Sequence, residues 1–254
     1  GEDMDYRALM DALVADEARA KLIAGNILEH AQHFSIVITE SVRYCHVLAE
    51  MVERFARARW GVVPRIAVVH GPISRYKWIV GGTEKNARQL VSADLALAFR
   101  RNERLKRWEV NVEQYSDEEF RLWQISNTER KARIEACRAR EIDVLFATAQ
   151  LVQEGLDLPN LCVGHLAMPK RGDAGGSKNG ASVEQAIGRL MRPDPRNPKK
   201  AAIWFDYVDY NVGVLRSQYY SRRGVYNRLG LIVPGKPKPT EREEIEAFLD
   251  TMTW

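Results

Sequence analysis

"FSIVIT", residues 34–39, is a short and almost continuous apolar run, which is typical of a strand buried on both faces of a sheet. Four later segments repeat this pattern: RIAVVHG (65–71), IDVLFAT (142–148), LCVGHLAMP (161–169) and AAIWFDYV (201–208). Helical patterns lie between several of them. This alternation predicts an α/β fold, a parallel sheet with helices on both faces.

Ligands of such sheets bind in the loops that follow the carboxyl ends of the strands. We therefore expect the informative loops after Thr39, His70, Thr148 and Met168.

Apolar residues at helical spacing predict a first helix over residues 4 to about 31. Ser41 is expected to be the N-cap of a second helix, because its hydroxyl oxygen can accept a hydrogen bond from a free backbone amide in the first turn. A charged segment, TERKARIEACRAR (128–140), predicts another helix before the third strand.

Residues 72–125 interrupt the alternation, and we interpret them as a mostly helical insertion in a domain that spans residues 1–233. Within the insertion, RRNERLKRW (100–108) carries the basic residues Arg100, Arg101, Arg104 and Arg107. Such a patch can face nucleic-acid phosphates, or it can be a solvated helix face with Leu105 and Trp108 packed beneath. Residues 234–254 are interpreted as a linker and a terminal helix.

The net charge of +4 permits a polyanionic partner without requiring one. The three cysteines are far apart and odd in number, which predicts a reduced, cytoplasmic compartment. No metal site is expected, because neither the cysteines nor the five histidines show ligand spacing. No apolar run is long enough to span a membrane, so no membrane partner is expected.

The stretch VEQAIGRLMRPDP (183–195) places a polar face on a predicted helix, with Gln185, Gly188, Arg189 and Arg192 three or four residues apart. Ala186, Ile187 and Leu190 would point inward. The planar, forked guanidinium group is suited to binding phosphate. The alternative is a solvated helix end, with cations near the negative pole of the helix.

A second stretch, FATAQLVQEGLDLPNL (146–161), contains Gly155 and Asp157. Glycine lets the backbone approach a ligand closely, and a carboxylate can accept hydrogen bonds from ribose hydroxyls. Both residues are also common in simple turns, which is the alternative interpretation.

The order of these two stretches resembles motifs V and VI of a superfamily 2 helicase, and SIVITES (35–41) stands where that superfamily has motif IV. The resemblance covers about residues 5–230, corresponds to the C-terminal RecA-like domain, and is nearest to DEAD/DEAH-type and restriction-type DNA helicases. It implies that Arg192 is an arginine finger and that Arg189 is a second γ-phosphate contact. It also implies nucleotide contacts by Gln185, Gly188, Gly155 and Asp157, and nucleic-acid contacts by Ser41, Gly71 and Thr148.

The resemblance further implies that an N-terminal RecA-like domain holds ATP and Mg²⁺, so this chain alone should bind neither and should be inactive. Its other partner would be DNA, in preference to RNA. The two arginines are then expected to have no partner within this chain, because their partner is ATP on another domain.

Two alternatives remain open at this stage. The chain could be a non-catalytic nucleic-acid-binding module with the same fold. It could also be a small P-loop enzyme that uses residues 172–179, although Ser177 stands where a P-loop has glycine and Asn179 where it has Ser or Thr.

Overall fold

The structure, a computed structural model, describes residues 6–80, 83–86, 111–153, 156–170, 183–194, 196 and 202–231. Within these ranges the elements run in the order α1 (Tyr6–Ala15), α2 (Glu17–Glu29), β1 (Ser35–Thr39), α3 (Val42–Trp60), β2 (Ile66–Val69), β3 (Tyr76–Val80), β4 (Thr83–Asn86), β5 (Asn111–Glu113), α4 (Asp117–Trp123), α5 (Asn127–Arg138), β6 (Val144–Thr148), α6 (Ala149–Gln153), β7 (Val163–Leu166), α7 (Val183–Leu190), β8 (Ile203–Asp206) and α8 (Gly213–Arg228).

Five strands form a parallel sheet in the order β2-β6-β1-β7-β8. In the central strand, Val37 is in register with Phe146 on one side and with His165 on the other. All five predicted strands are present in this sheet, so the predicted α/β fold with a parallel sheet is confirmed.

Two apolar cores lie on opposite faces of this sheet, because successive side chains of a strand point to opposite faces. Val37 of β1 packs with α2 and α3 in the first core. Its neighbours Ile36 and Ile38 pack with residues of α5, α6 and α7 in the second core. Helices therefore cover both faces, as the continuous apolar strands predicted.

The N-terminal segment forms two helices instead of the single predicted one. Asp16 separates α1 from α2, and its side chain accepts a hydrogen bond from the backbone amide of Arg19 at 2.9 Å. Such a cap satisfies a free amide at a helix start, so a new helix begins there. Ser41 caps α3 in the same way and accepts from the amide of Tyr44 at 3.3 Å, which confirms that prediction.

The described part of residues 72–125 forms a three-stranded antiparallel sheet, in the order β4-β3-β5, followed by the short helix α4. The prediction of a mostly helical insertion is wrong for this part. Strand β3 (YKWIV) is rich in aromatic and β-branched residues, which favour strands. Val80 pairs with Thr83, and the Gly-Gly dipeptide between them is typical of a two-residue hairpin.

The described residues belong to two compact units, the first within 1–168 and 185–207 and the second within 169–184 and 208–254. In the second unit, α8 carries the buried Arg222, whose Nη1 donates to the carbonyl oxygen of Lys170. The predicted linker and terminal helix at 234–254 lie outside the described residues.

Candidate nucleotide and nucleic-acid sites

Helix α7 presents the polar face that its sequence predicted. Its inward positions Ala186, Ile187 and Leu190 are 9%, 0% and 1% exposed. The outward positions are Gln185 and Gly188, which are exposed, and Arg189, which is half-buried. The helix ends at Leu190, and Arg192 lies in the turn that follows. The backbone amide of Arg192 donates to the carbonyl oxygen of Arg189 at 3.2 Å.

The guanidinium of Arg189 lacks an acceptor at one of its nitrogens. Nη1 is buried and has no hydrogen-bond partner among the described residues. Burial lowers the pKa of Arg189, the nearby charge of Arg192 lowers it further, and Asp157 opposes both effects. A buried donor without an acceptor is costly, so this atom favours the binding of an anionic oxygen.

Arg192, in contrast, forms an ion pair with Asp157, in which Nη1 donates to Oδ1. The expectation that neither arginine has a partner within this chain is therefore wrong for Arg192. The two residues are 35 positions apart in sequence, and the fold brings together the segments that carry them. Both side chains are about half-exposed, at 51% and 58%. Exposed pairs contribute only about 0–1 kcal/mol, so a competing anion can displace this one.

Ser41, Gly71 and Thr148 line one cleft of about 970 Å³ at the carboxyl edge of the parallel sheet. Ser41 and Gly71 follow β1 and β2, and Thr148 is the last residue of β6. These strands are neighbours in the sheet, so their ends converge. The space that a Cβ atom at Gly71 would occupy is open, with no heavy atom within 4 Å. The structure thus brings together three of the residues expected to contact nucleic acid.

Arg43 connects this cleft to the segment that follows β5. Its guanidinium donates to both carboxylate oxygens of Glu119, at 3.0 and 2.9 Å, and to the carbonyl oxygen of Gln114 at 2.8 Å. It also lies 5.8 Å from the ring centre of Tyr115. Gln114 and Tyr115 line the cleft, so residues of the predicted insertion form part of its wall.

Sequence reasoning missed this connection, because Arg43 and Glu119 are 76 residues apart. The readable signal was local: Ser116 and Glu119 have the spacing of a capping box, and the structure shows both of its hydrogen bonds. The hydrogen bond from Arg43 has the largest effect in lowering the pKa of Glu119, so this carboxylate stays charged.

The cleft and the arginine cluster occupy different positions relative to the strands. The cleft residues lie where strands end, as expected for ligand-binding loops of a parallel sheet. Asp157 lies in the segment that enters β7, and Arg192 lies in the segment that leads into β8. The predicted loop after Thr148 is occupied by helix α6. The cleft residues thus lie at the expected strand ends, Asp157 lies in the connection that follows Thr148, and most of the loop after Met168 lies outside the described residues.

Some predicted site residues lie outside the described residues. They are Gly155, Arg100, Arg101, Arg104 and Arg107, together with the 172–179 loop of the P-loop alternative.

Among the described residues, no group of three or more His, Cys, Asp or Glu side chains could hold a metal ion. In the same part of the chain, no helix combines the length and the apolar character needed to cross a membrane. Cys45 and Cys137 are buried, and burial raises the pKa of each thiol to about 12, whereas Cys162 is half-buried.

No family model matches this chain, and no curated protein matches it. Solved structures do. The chain is similar to the C-terminal domain of the DEAD-box protein Dbp5, with 14% identity, a TM-score of 0.48, and coverage of 93% of this chain and 92% of that chain. T4 UvsW matches with 13% identity, a TM-score of 0.48, and coverage of 89% and 36%. S. cerevisiae Dbp5 bound to RNA and ADP BeF3 matches with 15% identity, a TM-score of 0.47, and coverage of 93% and 42%. The chain thus spans less than half the length of the last two proteins.

Proposed function

We propose that this chain is the second motor domain of an ATP-dependent superfamily 2 DNA helicase or translocase. In this proposal, ATP and Mg²⁺ are held by a separate N-terminal RecA-like domain, and this chain supplies Arg189 and Arg192 to the phosphates. The observation that carries the proposal is the buried Nη1 atom of Arg189, which has no acceptor among the described residues and lies beside a second arginine.

The chemistry of the cluster fits a nucleotide. A phosphate oxygen would satisfy the guanidinium of Arg189, and it would compete with the carboxylate of Asp157 for Arg192. Once released, Asp157 could accept hydrogen bonds from ribose hydroxyls. The described residues offer no carboxylate cluster for a metal, so Mg²⁺ would be held by residues of the other domain.

The cleft supports the nucleic-acid part of the proposal. The Ser41 hydroxyl oxygen accepts from Tyr44, which leaves its O–H free to donate to a phosphate oxygen. Thr148 and the backbone at Gly71 add further polar groups at the same edge. Hydroxyl and backbone contacts of this kind fix a nucleic-acid backbone without reading its sequence.

The second candidate function is a nucleic-acid-binding module without ATP turnover. The observation that favours it is that three strand ends of this chain form the cleft, whereas the described residues around the arginine cluster include no set of three or more His, Cys, Asp or Glu side chains that could hold the metal of a nucleotide.

Arg189→Ala and Arg189→Lys, placed in the intact protein that contains this chain, test the proposal. Nucleic-acid-stimulated ATP hydrolysis is measured, with Lys21→Gln as the control. Lys21 is exposed, lies in neither site, and forms an ion pair with Glu17 in which Nζ and Oε1 are 2.8 Å apart. We expect both Arg189 variants to lose turnover and the control to keep it. Normal turnover in Arg189→Ala would exclude the proposed role, and no turnover in the unmodified protein would favour the binding module.

A further inference from the structure

The turn that follows α5 has an unusual backbone. Arg140 has a φ of 64°, and among the described residues it is the only non-glycine residue with a positive φ. A residue with a Cβ atom rarely adopts this left-handed conformation unless surrounding contacts hold it there. The contacts of this turn therefore identify the segments of the chain to which it is fixed.

The first contact joins the turn to the segment that carries Arg192. Nη2 of Arg140 donates to Oδ2 of Asp194 at 2.6 Å, and the carboxylate of Asp194 also accepts from the backbone amide of Arg196 at 3.0 Å. Asp194 is only 3% exposed, so this ion pair is shielded from water on one side. Asp194 is joined to Arg192 through Pro193, whose ring limits the backbone freedom between them.

The second contact joins the last residues of α5, directly before this turn, to the loop that carries Asp157. Nε of Arg138 donates to the carbonyl oxygen of Asp157 at 3.4 Å. Three residues further along, Nδ2 of the buried Asn160 donates to the carbonyl oxygen of Cys137 at 3.2 Å. Residues 137–140 thus contact the segments on both sides of the Arg192–Asp157 ion pair.

We propose that residues 137–140 form a brace that positions Arg192 against Asp157, with Arg140 and Asp194 as positioning residues. The brace sets the distance between two segments that are far apart in sequence, because the end of α5 and the turn after it are bonded to both. Its effect on turnover rests on the proposed function, whereas its effect on the geometry of Arg192 does not.

Three variants isolate the brace. Arg140→Gly removes the guanidinium and tolerates the positive φ without strain, so the fold is retained. Asp194→Asn keeps the shape of the side chain and removes its charge. Arg140→Lys keeps a cation at the same position. Arg65→Gln is the matched control, because Arg65 forms a two-bonded pair with Asp143, at 3.0 and 2.7 Å, that contacts neither the Asp157 loop nor the Arg192 turn.

The first readout uses this chain alone. The guanidinium N–H signal of Arg192 in an NMR spectrum reports whether its Nη1 atom is held in the ion pair with Asp157. We expect Arg140→Gly and Asp194→Asn to shift this signal and to speed its exchange with water, Arg140→Lys to restore it in part, and Arg65→Gln to leave it unchanged. Thermal unfolding of each variant checks that the fold is intact. An unchanged Arg192 signal in a folded Arg140→Gly or Asp194→Asn would overturn the proposal.

The second readout is ATP hydrolysis by the intact protein. A misplaced Arg192 should lower kcat by about 10²-fold, the loss expected for displacement of a reacting group by about 1 Å, while KM changes little. A raised KM with unchanged kcat would contradict the brace. If the unmodified protein shows no hydrolysis while the NMR result holds, the proposed function fails and the brace remains.

Discussion

Nη1 of Arg192 donates to Oδ1 of Asp157, so the side chain expected to reach the γ-phosphate is bonded to the side chain expected to reach the ribose. The pair is exposed, and Arg189 beside it has a buried nitrogen without an acceptor among the described residues. If a nucleotide binds here, its phosphates compete with Asp157 for the guanidinium of Arg192. Without a ligand, the carboxylate of Asp157 therefore neutralises part of the positive charge of Arg189 and Arg192.

Replacement of Arg192 by alanine should lower kcat for ATP hydrolysis in the intact protein by on the order of 10³-fold, the scale observed for arginine fingers. KM should change little, because the lost interaction is made chiefly in the transition state. Lysine should restore little activity, since a point charge cannot reproduce the guanidinium fork. Near-normal turnover of Arg192→Ala would rule out the finger role, and a thermal midpoint measured on the same variant controls for unfolding.

ATP should bind to this chain alone no more tightly than millimolar, and the chain should not hydrolyse it. Among the described residues, only the arginine side of the proposed site is present, and Arg192 is already paired with Asp157. Isothermal titration calorimetry measures the affinity, and Asp157→Asn serves as a comparison because it frees Arg192. Micromolar affinity in the unmodified chain would contradict this expectation and would favour the P-loop interpretation of residues 172–179.

DNA or RNA should bind to this chain weakly and with little sequence preference. Arg43 lines the described cleft, but it is already bonded to Glu119, so the cleft itself offers hydroxyl and backbone donors rather than a free cation. A steep salt dependence would then come from Arg100, Arg101, Arg104 and Arg107, since each neutralised phosphate adds about 0.7–0.9 to the slope.

Replacement of these four arginines by alanine separates the two contributions to nucleic-acid binding. Fluorescence anisotropy at several salt concentrations should show a lower affinity and a shallower slope for the fourfold variant. An unchanged slope would mean that residues 100–108 are a solvated face.

Gly164→Ala should destabilise the fold by about 1–3 kcal/mol, the usual cost of overpacking. Gly164 pairs with Trp204 across β7 and β8, and a Cβ atom at Gly164 would lie 2.5 Å from the ring of Trp204. Gly25→Ala is the matched control: its Cβ would meet no atom within 4 Å, and alanine in the middle of α2 should stabilise the helix by about 0.5–1 kcal/mol. Urea unfolding measures both, and equal effects would contradict the contact with Trp204.

Acid should destabilise the fold through His165. Its ring stacks on Phe205 at 4.7 Å and its Nδ1 lies 2.9 Å from the hydroxyl of Tyr207. Burial, with a smaller effect of His30, lowers the pKa of His165 from 6.5 to about 3. Below pH 6.5, His165 therefore binds a proton in the unfolded chain, whereas in the folded chain it does not do so until about pH 3. Across that window, each pH unit should remove about 1.4 kcal/mol of stability.

His165→Phe tests this effect, because phenylalanine fills the site and cannot be protonated. Its thermal midpoint should be lower than that of the unmodified chain at pH 8, because the bond to Tyr207 is lost, but it should fall less steeply between pH 6.5 and pH 4. His33→Phe, at an exposed position after α2, is the control and should keep the original pH dependence. The same steep fall in His165→Phe would assign the acid sensitivity to another group.

Local pattern alone predicted much of the architecture. The sequence predicted the five apolar strands, the N-cap at Ser41 and the inward and outward faces of α7. Each of these features depends only on residues that are close together in sequence, within one strand or one or two helical turns. The break at Asp16 and the pairing of β3 with β4 also had local signals in the sequence. The prediction of one helix over residues 4 to about 31 followed the apolar periodicity instead of the signal at Asp16, and the prediction of a mostly helical insertion at 72–125 did not use the strand signal of β3.

Which residues can be buried, cap a helix or carry charge follows from the local sequence, since those properties belong to single side chains and their near neighbours. Which of these residues contact one another depends on the fold. The order β2-β6-β1-β7-β8 brings Ser41, Gly71 and Thr148 to one cleft. The same fold pairs Arg192 with Asp157 and Arg140 with Asp194. The physical reason is that these contacts join segments distant along the chain, and their distances depend on how strands order and helices pack, which no local pattern contains.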